Sequence, residues 1–211
     1  VALLVMRCLP GAPSPSVNHP AFVAAGHQLR RVHSITVHGF GPLRVDAAGS
    51  VLGEHSGWEE FTETAHTCIA ELVAHRIMDV PFADDVRRAL GPQHDAMRYD
   101  GPPVLLHGDL HPRHIFADEA GLTGVIDWGD VMAGDPYFDL ARYSIGGQDS
   151  LADLLTGYGA VMSPDLDRRF TLYRMIRMTR TLHDELRAGG DWFEAYRQQL
   201  RADLRLLRSL Y

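Results

Sequence analysis

Lysine is missing from this chain, whose 20 basic side chains are all arginine. No position can therefore supply an ammonium point charge. Asparagine occurs once, at Asn18, and cysteine twice, at Cys8 and Cys68. Two cysteines are too few to staple a protein of this size, and neither lies in a paired-cysteine zinc pattern, so both read as reduced thiols. Long apolar runs are lacking too. None approaches the ~20 residues needed to span a bilayer, and the N-terminus has no basic region, apolar segment and cleavage site of a signal peptide. The expectation is a cytoplasmic protein with no membrane partner. Nor is there an excess of positive charge: 27 acids give a net −7. That argues against wrapping nucleic acid and favours cationic or neutral partners where the acids gather in a cleft.

What is present is a globular composition, 45% hydrophobic and 22% charged over 211 residues, enough to bury a core in one domain or two small ones. The apolar run "VALLVM" at Val1 is followed by "RCLPG" and the Pro/Ser-rich "APSPS". A buried strand arriving at the first residue reads as the middle of a domain.

Beyond it the periodicity is mainly helical. Phe22, Ala25, Leu29 and Val32 fall at helix spacing, as do Trp58, Phe61, Ala65, Ile69, Leu72 and Val73. Between them a glycine-punctuated loop, Val37 to Gly57, has room for a short hairpin. More helix is expected around Phe82 to Leu90. "PPVLLHGD" and "LTGVIDWGD" are β-type runs, and "HIFADEAGLTGVID" reads as a hairpin turning at "DEAG". After "GDPYFDLARY" the chain reads as helix to its end, with Ser163-Pro164 and Asp191 as helix starts. Phe170, Tyr173, Ile176, Leu182 and Leu186, and likewise Phe193, Tyr196, Leu200, Leu204 and Leu207, form core stripes.

The chemistry lies between Val104 and Asp130. Kinases carry a catalytic loop H-R-D-L-x-x-x-N, whose Asp orients and deprotonates the acceptor hydroxyl and whose Asn holds a metal. His107, Gly108, Asp109, Leu110 and His114 reproduce that spacing, with His114 in the Asn slot. Asp127-Trp128-Gly129 stands where kinases place Asp-Phe-Gly, 18 positions after Asp109. Either element alone would be noise. Both in order, each ending a β-run, make a specific signal.

"HGDLHPRHIF", "GVIDWGD" and "GDPYFDLA" resemble the signature of the aminoglycoside phosphotransferase and choline kinase-like family of small-molecule kinases. The resemblance implies an α+β, mainly α, protein kinase-like fold: residues 1–11 as the last N-lobe strand and hinge, and 12–211 as a helical C-lobe. A small β-hairpin would carry the catalytic and metal loops within 104–140. It also implies transfer of the γ-phosphoryl of ATP, or GTP, to a hydroxyl of an antibiotic-like acceptor such as an aminoglycoside or a macrolide, with magnesium. Carried over, Asp109 is the catalytic base and His114 and Asp127 are metal ligands. Asp139 and His107 are structural supports, and Met6 and Cys8 lie at the adenine. His114 departs from the usual Asn but matches the histidine of macrolide kinases and some antibiotic kinases. Imidazole suits softer ions than magnesium, so greater tolerance of manganese is expected.

The larger departure is upstream. The lysine and glycine-rich loop that hold nucleotide phosphates in this fold are not found here, and "GFGPLR" is more simply a turn. Two other readings stay open. One is an N-terminally shortened, inactive C-lobe acting as a binding module or gene remnant, whose exposed "VALLVM" edge would favour a homodimer. The other is a metal-dependent phosphoesterase, suggested by "GDLH" but lacking an upstream D-x-H and, with Asn18 alone, a G-N-H. The other histidines, His19, His27, His33, His38, His55, His66, His75, His94 and His183, show no common ligand spacing and read mostly as surface.

Overall fold

The chain is described by a computed structural model over residues 8–14, 19–91 and 94–209. Two small antiparallel sheets sit at one side of a helical body. The first sheet is short: β1 (Ala12–Pro13) pairs with β5 (Ile115–Asp118), which pairs with β6 (Gly121–Val125). Its hairpin aligns Phe116 with Gly124 and turns at Asp118–Gly121, as the sequence predicts. The second sheet has the order β3-β2-β7-β4, with β2 at Phe40–Val45, β3 at Val51–His55, β4 at Val104–Leu106 and β7 at Met132–Gly134. The hairpin of β2 and β3 fills the loop where the sequence left room for one. Strand β7 was not anticipated. Its three residues align Ala133 between Gly41 of β2 and Leu105 of β4, so the pairing makes the strand.

The helices follow the apolar periodicity. Helix α1 (His19–Val32) buries Phe22, Ala25 and Leu29. It packs back to back with α6 (Leu151–Tyr158), an approach that requires glycine on both sides. A Cβ on Gly26 would stand 2.2 Å from Leu154 O, and one on Gly157 1.9 Å from Val23 O. Helix α2 (Trp58–Ala74) is followed by α3 (Val80–Leu90), which starts where the Asp79 carboxylate accepts the Phe82 N–H at 2.9 Å. A single turn, α4 (His94–Met97), precedes β4, and α5 (Tyr137–Ser144) follows β7.

The core is organised around α7 (Pro164–Ala188), whose buried Phe170, Tyr173, Ile176 and Leu182 face α2, α5 and α8 (Phe193–Ser209). Ser163 caps α7, accepting the Leu166 N–H at 3.2 Å, with Pro164 in the first turn. Helix α8 begins at Phe193 rather than at Asp191, because the Trp192 N–H is taken by Glu185 Oε1 at 3.1 Å. An aromatic group gathers on Trp58, with Phe61 stacked at 4.9 Å and Phe138 and Tyr173 edge-on at 5.5 and 5.8 Å. Each such contact adds about 0.5–1.5 kcal/mol beyond area burial.

Two of the histidines outside the motifs, His33 and His183, are buried. His33 is held by Asp139 and Tyr158, and His183 by Glu71 at 2.7 Å. The expected edge strand at Val1 to Met6 lies outside the described residues. None of the described helices is long and apolar enough to cross a membrane.

Candidate active site

The two sheets end where the chemistry was expected. Strand β4 delivers His107 to Asp109, and β6 delivers Ile126 and Asp127. The Ile126 N–H donates to His114 O at 2.9 Å. The two loops are thereby joined.

Asp139, at the start of α5, braces the first loop from beneath. It is fully buried, and its Oδ2 and Oδ1 accept the backbone N–H groups of His107 and Gly108 at 2.7 and 2.8 Å. His33, just past the end of α1, donates to Oδ2 from Nε2 at 3.0 Å, while its Nδ1 accepts the Tyr158 hydroxyl, also at 3.0 Å. Gly108 has φ +82, and a Cβ there would lie 1.8 Å from Asp130 O. Only glycine fits this corner.

His107 is fully buried and structural. Its Nε2–H donates to Ile126 O at 2.8 Å and its Nδ1 accepts the Asp109 N–H at 3.3 Å. The ring lies against His114 at 5.7 Å and Trp128 at 4.6 Å.

His114 is buried and donates from Nδ1 to Asp109 O at 3.0 Å. That bond fixes the tautomer and leaves Nε2 facing Asp127 Oδ2 at 3.4 Å. Burial pushes the imidazole pKa down against the opposing pull of Asp109 and Asp127, which keeps the nitrogen lone pair available. Asp127 sits in the left-handed region, φ 66 and ψ 56, which costs about 1 kcal/mol for a non-glycine residue. The carboxylate is 63% exposed. A neutral imidazole nitrogen beside an outward-facing carboxylate fits a divalent cation. Among the described residues no three His, Cys, Asp or Glu side chains are gathered to enclose one. Two protein ligands with the remaining positions left to phosphate and water is how nucleotide-bound magnesium is held.

Asp109 has neighbours that the motif does not announce. Its Oδ1 accepts from Arg142 Nε at 2.7 Å and from Arg177 Nη2 at 3.0 Å, and the same Nη2 reaches Asp130 Oδ2 at 3.1 Å. Burial alone would raise the Asp109 pKa, but the two guanidinium groups and the Arg142 hydrogen bond outweigh it and hold the carboxyl below its ordinary value. Arg142 was within reach of sequence reasoning, one helical turn after Asp139 inside "GDPYFDLARY". Arg177, 68 positions from Asp109, had no sequence signal.

The structure thus brings Asp109, His114 and Asp127 into one site with His107 and Asp139 behind them. Of the two residues expected at the adenine, Met6 lies outside the described residues and Cys8 is exposed. The segment that follows Cys8 runs along the β5–β6 hairpin, where Thr123 Oγ1 donates to Pro10 O at 2.8 Å.

The architecture is that of a protein kinase-like fold, and comparison with known proteins agrees. The model of the phosphotransferase enzyme family (APH) matches residues 2–172, and the chain belongs to that family. The uncharacterized protein YcbJ of Bacillus subtilis (strain 168) is 41% identical over 66 residues, 30% of this chain and 22% of YcbJ. The chain therefore spans about a fifth of this curated relative in the matched region. Aminoglycoside phosphotransferase APH(4)-Ia, crystallised as a thermostable mutant with ADP and hygromycin B, is 20% identical with a TM-score of 0.69, over 94% of this chain and 70% of that one. A putative fructosamine-3-kinase from Thermobifida fusca is also 20% identical, with a TM-score of 0.67 over 95% and 69% of the two chains. These two likenesses show a shared fold.

Proposed function

We propose that the chain carries the acceptor and metal halves of an ATP-dependent small-molecule kinase. In the reaction an acceptor hydroxyl oxygen bonds to the γ-phosphorus as the bond from that phosphorus to the β-bridging oxygen breaks, leaving ADP. Asp109 orients the hydroxyl and takes its proton. Oδ1 is held by two arginines, so the approach is through Oδ2. A carboxylate of low basicity suffices, because phosphoryl transfer through a loose transition state rests mainly on positioning and charge. His114 Nε2 and Asp127 would hold the divalent cation, magnesium or, with imidazole in the set, a softer ion. Such a cation supplies charge neutralisation between the phosphates. His107 and Asp139 hold the loop that carries Asp109.

The observation that carries this reading is the convergence of Asp109, His114 and Asp127 from two separately braced loops. The acceptor is taken to be antibiotic-like, with aminoglycosides and macrolides the first to test and a cytoplasmic setting assumed. Purified chain with Mg-ATP or Mg-GTP and an acceptor panel should give labelled product from a γ-labelled nucleotide. Asp109→Ala should lower transfer about 10²- to 10⁴-fold with an unchanged melting temperature. Near-normal transfer in that variant rejects the assignment. The absence of lysine favours a second reading, a lobe that binds without turnover. Saturable nucleotide or acceptor binding with no labelled product from the wild-type chain would establish it.

A further inference from the structure

Arg177 occupies an unusual place. Through one nitrogen, Nη2, it reaches Asp109 at 3.0 Å and Asp130 at 3.1 Å, one acidic side chain from each loop. Its side chain is 17% exposed, and its Nε is buried without a hydrogen-bond partner among the described residues. Beside it opens a cleft of about 270 Å³, lined by Phe61, Asp130, Phe138, Arg177, Arg180 and Asp184. Arg180 lies 4.7 Å over the Phe61 ring and donates to Thr64. The anions of the cleft face water, with Asp130 56% and Asp184 70% exposed, and the more deeply set charge is Arg177. Arg142 adds a further cation at the same oxygen, Asp109 Oδ1.

An ammonium group seeking to bridge Asp109 and Asp130 next to the reacting hydroxyl would have to displace the guanidinium that already bridges them, against charge-assisted hydrogen bonds, and at the remaining Asp109 oxygen it would meet a carboxylate already neutralised by two arginines. A neutral or anionic hydroxyl compound meets neither obstacle. We propose that Arg177 sets the acceptor class. By occupying Asp109 and Asp130 it closes the site to polyammonium acceptors and leaves it to hydroxyl compounds with no ammonium group beside the reacting hydroxyl. This rests on the kinase reading for the word acceptor and narrows it, setting aside the aminoglycosides named there as first to test, and it makes a claim about binding alone.

Isothermal titration of the full chain with hygromycin B, an acceptor-site ligand of the aminoglycoside type, tests it without ATP. The result therefore stands whether or not phosphoryl transfer is found. Wild-type chain should bind weakly, with Kd about 1 mM or above. Arg177→Gln should bind at least about tenfold more tightly, and Arg177→Lys should behave as wild type. A gain of affinity for a polycation is not what a damaged fold produces. Micromolar binding by the wild type, or unchanged or weaker binding by a folded Arg177→Gln chain, overturns the proposal. If Arg177→Gln fails to fold, Arg177→Met serves in its place, and the wild-type titration still decides against the proposal if it is tight.

Discussion

Three donors converge on the fully buried carboxylate of Asp139: the His107 and Gly108 N–H groups and His33 Nε2. Removing it would strand all three in a dry interior. Asp139→Ala should therefore cost about 3 kcal/mol in urea unfolding, with Asp139→Asn falling between, since an amide keeps one acceptor but turns donors towards donors. Equal stability of the alanine variant and the wild type would show that the loop does not depend on this brace. Asp139 could be placed from the sequence because it sits in a motif at fixed distance from Asp109. Its partner His33 could not, being 106 positions away just past a helix whose pattern marks only its apolar face. The same holds for Arg177. Motifs preserve local spacing, while charges brought together by packing leave no periodic trace.

Elements were legible in proportion to their length and amphipathicity. Helix α7 was readable at both levels: its apolar stripe predicts the buried face, and Ser163-Pro164 predicts its start. Strand β7 was not. "MAG" has neither alternation nor β-branched residues, and its conformation comes from β2 and β4 on either side. Helix α7 also carries Arg169, Arg174 and Arg177, which reach Asp135 at 2.6 Å, Asp203 at 2.8 Å and Asp109 at 3.0 Å. Fraying at its N-terminus would be felt first at Arg169, one and a half turns in. Ser163→Ala should destabilise the chain by about 1 kcal/mol and should speed amide exchange more in the first turn of α7 than in its middle. Hydrogen exchange measured along α7 checks this, and uniform loss of protection would place the effect elsewhere.

At the scale of the whole molecule, the site is assembled from positions spread between His33, just past α1, and Arg177 on α7, so its integrity and global folding are coupled. Acid should reveal the coupling through His111. Burial, with Arg142, Arg113 and His114 nearby, pushes its pKa down to about 4 from 6.5. Its unprotonated Nδ1 accepts the Arg113 N–H at 3.2 Å and caps the short turn Pro112–His114. Between pH 6.5 and 4 the unfolded chain binds a proton at this residue that the folded chain refuses, so stability rises with pH across that window and is lost as pH falls. The group alone should make unfolding roughly 1–2 kcal/mol easier at pH 5 than at pH 7. Asp109, held low by its arginines after burial is overcome, adds its own loss only below its ordinary carboxyl range. Urea unfolding of wild type and His111→Gln at both pH values isolates the histidine: the variant should have the shallower dependence, and an identical slope in the two proteins would mean that His111 is not held neutral by the fold.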